Sequence, residues 1–74
     1  MTITGRMEWQ DIEGGFWGLV GDDGKKYRPM NADSLDASLL ENGRRVRVSA
    51  TRDAGMSISM WGINISVQSA EAVS

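Results

Sequence analysis

The chain contains no cysteine and no histidine in 74 residues. The first absence removes a disulfide framework and any thiolate nucleophile. The two together remove a zinc site of the usual ligands and any Ser-His or Cys-His pair. Only scattered carboxylates are left for acid–base work, and none is set beside a basic partner in a recognisable motif, so the chain is expected to be non-catalytic, without metal or cofactor. A surplus of positive charge is missing as well. Eight basic residues face ten acidic ones, a net charge of -2, which weighs against a dedicated phosphate-binding protein unless the cations are gathered on one face. No apolar run approaches the ~20 residues of a membrane span. Met1-Thr2-Ile3-Thr4-Gly5 has no basic segment followed by an apolar one, so a soluble cytoplasmic protein without a membrane partner is expected.

Length sets the next limit. A chain of 74 residues makes one domain and buries only roughly 60% of its unfolded surface, so each large apolar side chain has a core task by default. From Ile3 to Trp9 the apolar residues Ile3, Met7 and Trp9 alternate with Thr4, Arg6 and Glu8, which predicts a half-buried strand with Gly5 as a bend or bulge in its inward row. Asp11 to Gly15 is the turn after it, with Gly14 and Gly15 free to take positive φ. Phe16 to Gly21 makes a second strand, apolar on both faces: Trp17 and Leu19 share one side, and Phe16, Gly18 and Val20 the other. Asp22-Asp23-Gly24 is a hairpin turn of type I′ or bulged form. Lys25 to Met30 returns as a short third strand with Tyr27 inward and Lys26 and Arg28 outward. Pro29, the single proline, ends its pairing for lack of an N–H.

The period then changes. Leu35, Leu39 and Leu40 fall on one side of a two-turn helix, with Asp33 as N-cap, Asp36 in the first turn and Gly43 just past its end. A helix so short needs an apolar floor, and its leucines read as a plug. Val46, Val48 and Ala50 alternate with Arg45, Arg47 and Ser49 in a regular fourth strand. After a turn at Asp53-Ala54-Gly55, a long last strand is expected to point Met56, Ile58 and Met60 inward. It slips by one at a bulge beside Trp61 and Gly62, then continues through Ile63, Ile65 and Val67. Residues 1–68 form the barrel on this reading, and 69–74 a flexible tail.

Five strands and one short helix in the order β-β-β-α-β-β match the OB-fold, an all-β five-stranded Greek-key barrel. Three stretches, Glu13-Gly14-Gly15-Phe16-Trp17-Gly18, Asp23-Gly24-Lys25-Lys26-Tyr27 and Met60-Trp61-Gly62, are similar to those of a family of small prokaryotic OB-like proteins with no assigned activity. The resemblance implies the fold and leaves the function open. Gly15-Phe16-Trp17-Gly18-Leu19-Val20 also resembles the first nucleic-acid motif of cold-shock domains. It departs from them in three ways: no basic residue leads it, no second aromatic motif with histidine follows, and the leucine helix has no counterpart there.

Two clusters are candidate sites. On an OB barrel the second and third strands form the usual ligand face, where aromatics stack on bases and cations follow phosphates, which singles out Phe16, Lys26, Tyr27 and Arg28. The plain alternative puts Tyr27 in the core and leaves Lys26 and Arg28 as solvated edge charges. Trp61 at its bulge either stands out as an anchor for another protein or folds into a satellite core. The second cluster is Arg6, Arg45 and Arg47, a basic stripe on neighbouring strands, or else ordinary cross-strand pairing with Glu8 and water. What these residues suit is a small binding or interaction module of unidentified partner, a protein or an oligonucleotide, or alternatively a weak single-stranded nucleic-acid binder acting through the second and third strands. Oligomeric state has no signature in the sequence.

Overall fold

The computed structural model describes residues 1–52 and 61–73. Its strands are β1 (Thr2–Gln10), β2 (Phe16–Gly21), β3 (Lys26–Pro29), β4 (Arg45–Arg52) and β5 (Ile63–Ala72). They close into a barrel in the order β1-β2-β3-β5-β4. Every neighbouring pair is antiparallel except β3 and β5, which run parallel. This is the all-β OB-like barrel that the strand order implies.

Closure depends on β1 serving two partners. Residues 5–10 pair with β2 and residues 2–6 with β4, so Gly5 and Arg6 are flanked on both sides. At Gly5 the strands approach so closely that a Cβ would stand 2.1 Å from the Val20 carbonyl oxygen. No bulge forms there, because both registers run through Gly5 without a shift; the glycine supplies room instead.

The β1–β2 turn uses three successive positive φ angles, 51° at Glu13, 85° at Gly14 and 94° at Gly15. In the β2–β3 hairpin only Gly24 is positive, at 84°. Gly24 N–H donates to the Gly21 carbonyl at 2.9 Å and Gly21 N–H to the Lys25 carbonyl at 2.8 Å, which makes this the bulged turn rather than type I′. The β2–β3 ladder stops at Leu19–Tyr27. Carried on, its next hydrogen-bonding position would set Trp17 against Pro29, which has no N–H to give.

The expected two-turn helix does not form. In its place are two isolated 3-10 turns, Ala32–Ser34 and Ala37–Leu39, separated by extended backbone at Leu35 (φ -79°, ψ 155°). Short polar side chains compete for the backbone here. Asp36, expected inside a helix, caps the second turn by accepting from Ser38 N–H at 3.0 Å, and Ser34 Oγ donates to the Asn31 carbonyl at 2.7 Å. The plug survives without the helix: Leu39 is 6% exposed, and Leu35 and Leu40 pack against the core. Asn31 anchors it to β5. Its amide donates to the Val67 carbonyl at 2.8 Å and accepts from Val67 N–H at 2.9 Å, standing in for one more strand residue.

The bulge of β5 is also elsewhere. Ser49 faces Ser69 but Ala50 faces Val67, so Gln68 is the extra residue, and the slip turns Ala70 onto the core. Residues 69–72, expected in a tail, therefore lie in the sheet, paired with β4 as far as Val46–Ala72. Trp61 and Gly62 form a bend ahead of β5 rather than a bulge within it. The expected turn at Asp53-Ala54-Gly55 and the inward row Met56, Ile58 and Met60 lie outside the described residues.

Around the axis Ile3, Met7, Leu19, Tyr27, Val46, Val48, Ala50, Ile65 and Val67 are buried, each of the larger ones contributing about 1.5–3 kcal/mol. Tyr27 brings a hydroxyl into this core and donates it to Asp23 Oδ2 at 3.1 Å. Burial, and then the bond to Asp23, raise the Tyr27 pKa above the ordinary tyrosine value. The fold thus favours the neutral phenol, a contribution that is complete below about pH 10 and lost as pH rises through the raised value. In urea unfolding, the stability advantage of the native protein over Tyr27→Phe should shrink steadily above about pH 10. An advantage that stays constant into strong alkali would refute this.

Candidate functional site

The barrel interior is lined by aliphatic side chains and Met7, and among the described residues the one aromatic ring it encloses is that of Tyr27. Phenylalanine and tryptophan are excluded from it and collect at one end and on one face. β2 decides which goes where. Leu19 is fully buried; Trp17, on the same side and nearer the end, packs against the core only in part. Phe16, on the opposite side, projects from the outer face.

On that outer face Gly18 leaves a gap in the β2 row, and the Trp61 indole lies in it. A Cβ on Gly18 would come 2.3 Å from the Trp61 ring. Phe16 meets Trp61 edge to face, with centroids 5.6 Å apart and planes at 76°. The two outward cations of β3 cover these rings: Arg28 Cζ stands 4.2 Å from the Phe16 centroid and Lys26 Nζ 5.5 Å from that of Trp61. Phe16, Lys26, Arg28 and Trp61, four residues singled out in the sequence, are therefore one contiguous patch. Tyr27 is not part of it. At 5% exposure its ring belongs to the core and has no face to offer a ligand.

The end of the barrel carries a feature the sequence did not announce. Trp9 shares the inward row of β1 with Ile3 and Met7, yet it is 44% exposed. From Ile3 to Trp9 the row spans roughly 20 Å at about 3.3 Å per residue; Ile3 and Met7 are buried while Trp9 is not, so Trp9 lies at the rim. There it lies over the β1–β2 turn, where a Cβ on Gly15 would be 2.2 Å from its ring, and meets Trp17 edge to face at 5.3 Å and 72°. Its backbone N–H is held by Asn42 Oδ1 at 2.7 Å. Between this pair and the plug runs an open groove of about 330 Å³, lined by Trp9, Phe16, Trp17, Arg28, Met30 and Leu40 among others. Met30 is 50% exposed. The readable signal for Trp9 was the length of the apolar row; for Met30 it was the position just after Pro29, where pairing must end.

Charge separates this region from the rest. Arg6 and Arg45 do sit side by side on β1 and β4, but the basic stripe is neutralised residue by residue. Arg6 pairs with Glu8 at 2.5 Å, Arg45 with both oxygens of Asp22 at 2.9 and 2.7 Å, and Arg47 with Glu71 at 3.4 Å. The Arg45 hydrogen bonds hold the Asp22 carboxyl below the usual carboxylate range. Among the described residues, Lys26 and Arg28 have no carboxylate partner. Lys25 and Arg52 also lack one, but of these four only Lys26 and Arg28 stand over aromatic rings. No protein-family model matches this chain, and no curated protein or solved structure does.

The gap at Gly18 makes the patch testable. Gly18→Ala should lift Trp61 from β2, moving its indole N–H resonance while those of Trp9 and Trp17 hold, at a cost in stability of about 1–3 kcal/mol. An unchanged Trp61 resonance would show that the ring does not rest there.

Proposed function

We propose that this protein is a non-catalytic binding module, working in the cytoplasm through the aromatic end of its barrel. One observation carries the reading: Trp9 and Met30 stay about half exposed around an open groove next to Phe16, Arg28 and Trp17, in a chain too small to spare large apolar side chains from its core. Exposed apolar side chains beside half-buried rings are typical of contact sites for a partner.

Small organic probes that collect at binding hot spots test the reading directly. On titration with phenol or isopropanol, the Trp9 and Trp17 indole N–H resonances should move first and saturably. Shifts scattered over the surface, or absent from the groove, would count against a binding role for this end.

A second reading, a weak single-stranded nucleic-acid binder, is favoured by the unneutralised Lys26 and Arg28 beside Phe16 and Trp61. Rings of this kind stack on bases while cations follow the phosphates. Binding of a short oligothymidylate, followed by tryptophan fluorescence, should weaken steeply with salt. Lys26→Gln and Arg28→Gln should each flatten the log–log slope by about 1. Absence of binding at low salt, or a slope indifferent to both substitutions, excludes the second reading and leaves the first untouched.

A further inference from the structure

We propose that the aromatic end of the barrel is an interface between two copies of this chain, related by a two-fold axis beside the open edge of β2. This rests on the binding-module reading and names the partner.

The first support is where the apolar surface lies. Of the four large hydrophobic side chains exposed among the described residues, Trp9, Ile12 and Met30 belong to this end, and Met1 alone lies elsewhere, ahead of β1. Ile12 sits in the β1–β2 turn next to the Trp9 rim, where its carbonyl accepts from Gly15 N–H at 2.8 Å. The smallest face of a molecule 31 × 26 × 24 Å across presents roughly 600 Å², so two such ends reach the about 1,200 Å² at the lower limit of specific interfaces. A reversible dimer is the expected result.

The second is the backbone. Successive residues of a strand turn their N–H and C=O to opposite sides. Gly21 N–H donates to the Lys25 carbonyl, so the β2 groups that face β3 are those of Gly21, Leu19 and Trp17. Leu19 is paired with Tyr27. Beyond Tyr27 stands Pro29, which has no N–H to give, and the next donor, Met30 N–H, goes to the Ile65 carbonyl of β5 at 2.8 Å. The Trp17 carbonyl is thus left without a donor from β3. Its edge segment, Phe16-Trp17-Gly18, carries neither charge nor proline to discourage pairing with another chain. The same segment of a second copy, run antiparallel, supplies an N–H and obeys the two-fold at once.

The third is charge. Arg28 and Asp33 line the same groove, and neither has an ion-pair partner among the described residues. A polyanion or a polycation laid here meets one charge of its own sign. Across a two-fold, each residue i that faces residue j of the other copy is matched by j facing i, so Arg28 meets Asp33 of the other copy twice and no like charges are opposed. The surface holds both halves of its own complement.

The test is sedimentation velocity on the full chain at low salt. The weight-average mass should climb from one chain toward two between about 10 µM and 1 mM, as a small interface allows. Arg28→Asp and Asp33→Arg each set like charges against each other across the two-fold and should each weaken association roughly tenfold or more. An equimolar mixture of the two variants should associate again, and so should the double variant R28D/D33R alone, because both arrangements restore opposite charges at each contact. A native chain that stays monomeric to about 1 mM overturns the proposal, as do single reversals that leave association unchanged. So does failure of both the mixture and the double variant to associate when circular dichroism shows them folded. If phenol occupies the groove while the native chain stays monomeric, the partner is another molecule and only this inference fails; if phenol does not bind either, the binding-module reading fails too.

Discussion

The double pairing of β1 is the constraint from which the rest of the molecule follows. Five strands close a barrel only if one of them turns its hydrogen-bonding from β2 to β4 within its own length, and this happens at Gly5 and Arg6. The Val20 carbonyl oxygen would lie 2.1 Å from a Cβ at position 5, so the crossing admits glycine and no other residue without moving backbone. Closure at so small a circumference leaves an interior filled by Val46, Val48, Ala50, Ile65, Leu19 and Met7. Among the described residues no tryptophan or phenylalanine lies inside, and the exclusion of these rings is what creates the outer patch and the end groove. Surface and core are two results of one closure.

The plug shows the same economy. The connection from β3 to β4, residues 30–44, has to cross the barrel end, put Leu39 inside, and deliver the chain to β4. A continuous helix would rise only about 1.5 Å per residue and satisfy its own backbone. Two 3-10 turns with an extended residue between them cover more distance, and Asn31, Ser34 and Asp36 supply hydrogen bonds that the missing helix would have made. The amide of Asn31 takes both backbone groups of Val67, which continues the parallel β3–β5 pairing past Pro29, where the β2–β3 ladder cannot go. The groove exists because those two ladders part at this point.

Strand positions and the leucine plug were legible because each rests on a local pattern: alternation in residues 45–50, the Asp23-Gly24 turn, the spacing of Leu35, Leu39 and Leu40; the closed barrel followed from matching the element order to the OB-fold. The helix was misread because periodicity reports which side chains point inward and does not report how the backbone between them is bonded. The bulge was sought at Trp61, where the phase visibly slips. It lies at Gln68, where a polar run of Gln68 and Ser69 hides the slip. Of the site, Phe16, Lys26 and Arg28 were found from strand parity together with the usual ligand face of an OB barrel, and Trp61 from the phase slip beside Gly62. Tyr27 was named a ligand residue and a core residue by the same parity, and burial decides for the core. Trp9 was hidden because an inward row says nothing about where the barrel ends.

Electrostatics then divides the surface. Arg6, Arg45 and Arg47 lie on the β1–β4 side, where Glu8, Asp22 and Glu71 are within reach across the strands or along them. Such exposed pairs add little to stability, but they cancel the field that a basic stripe would project. On the β2–β3 side the partners of the cations are rings instead. A guanidinium over Phe16 keeps its full charge while its apolar edge is covered, so Arg28 remains able to attract an anion, and Asp33 across the groove remains able to attract a cation. The net charge of -2 describes neither face. The aromatic end is thus bounded by Arg28 and Asp33, one charge of each sign without an ion-pair partner among the described residues.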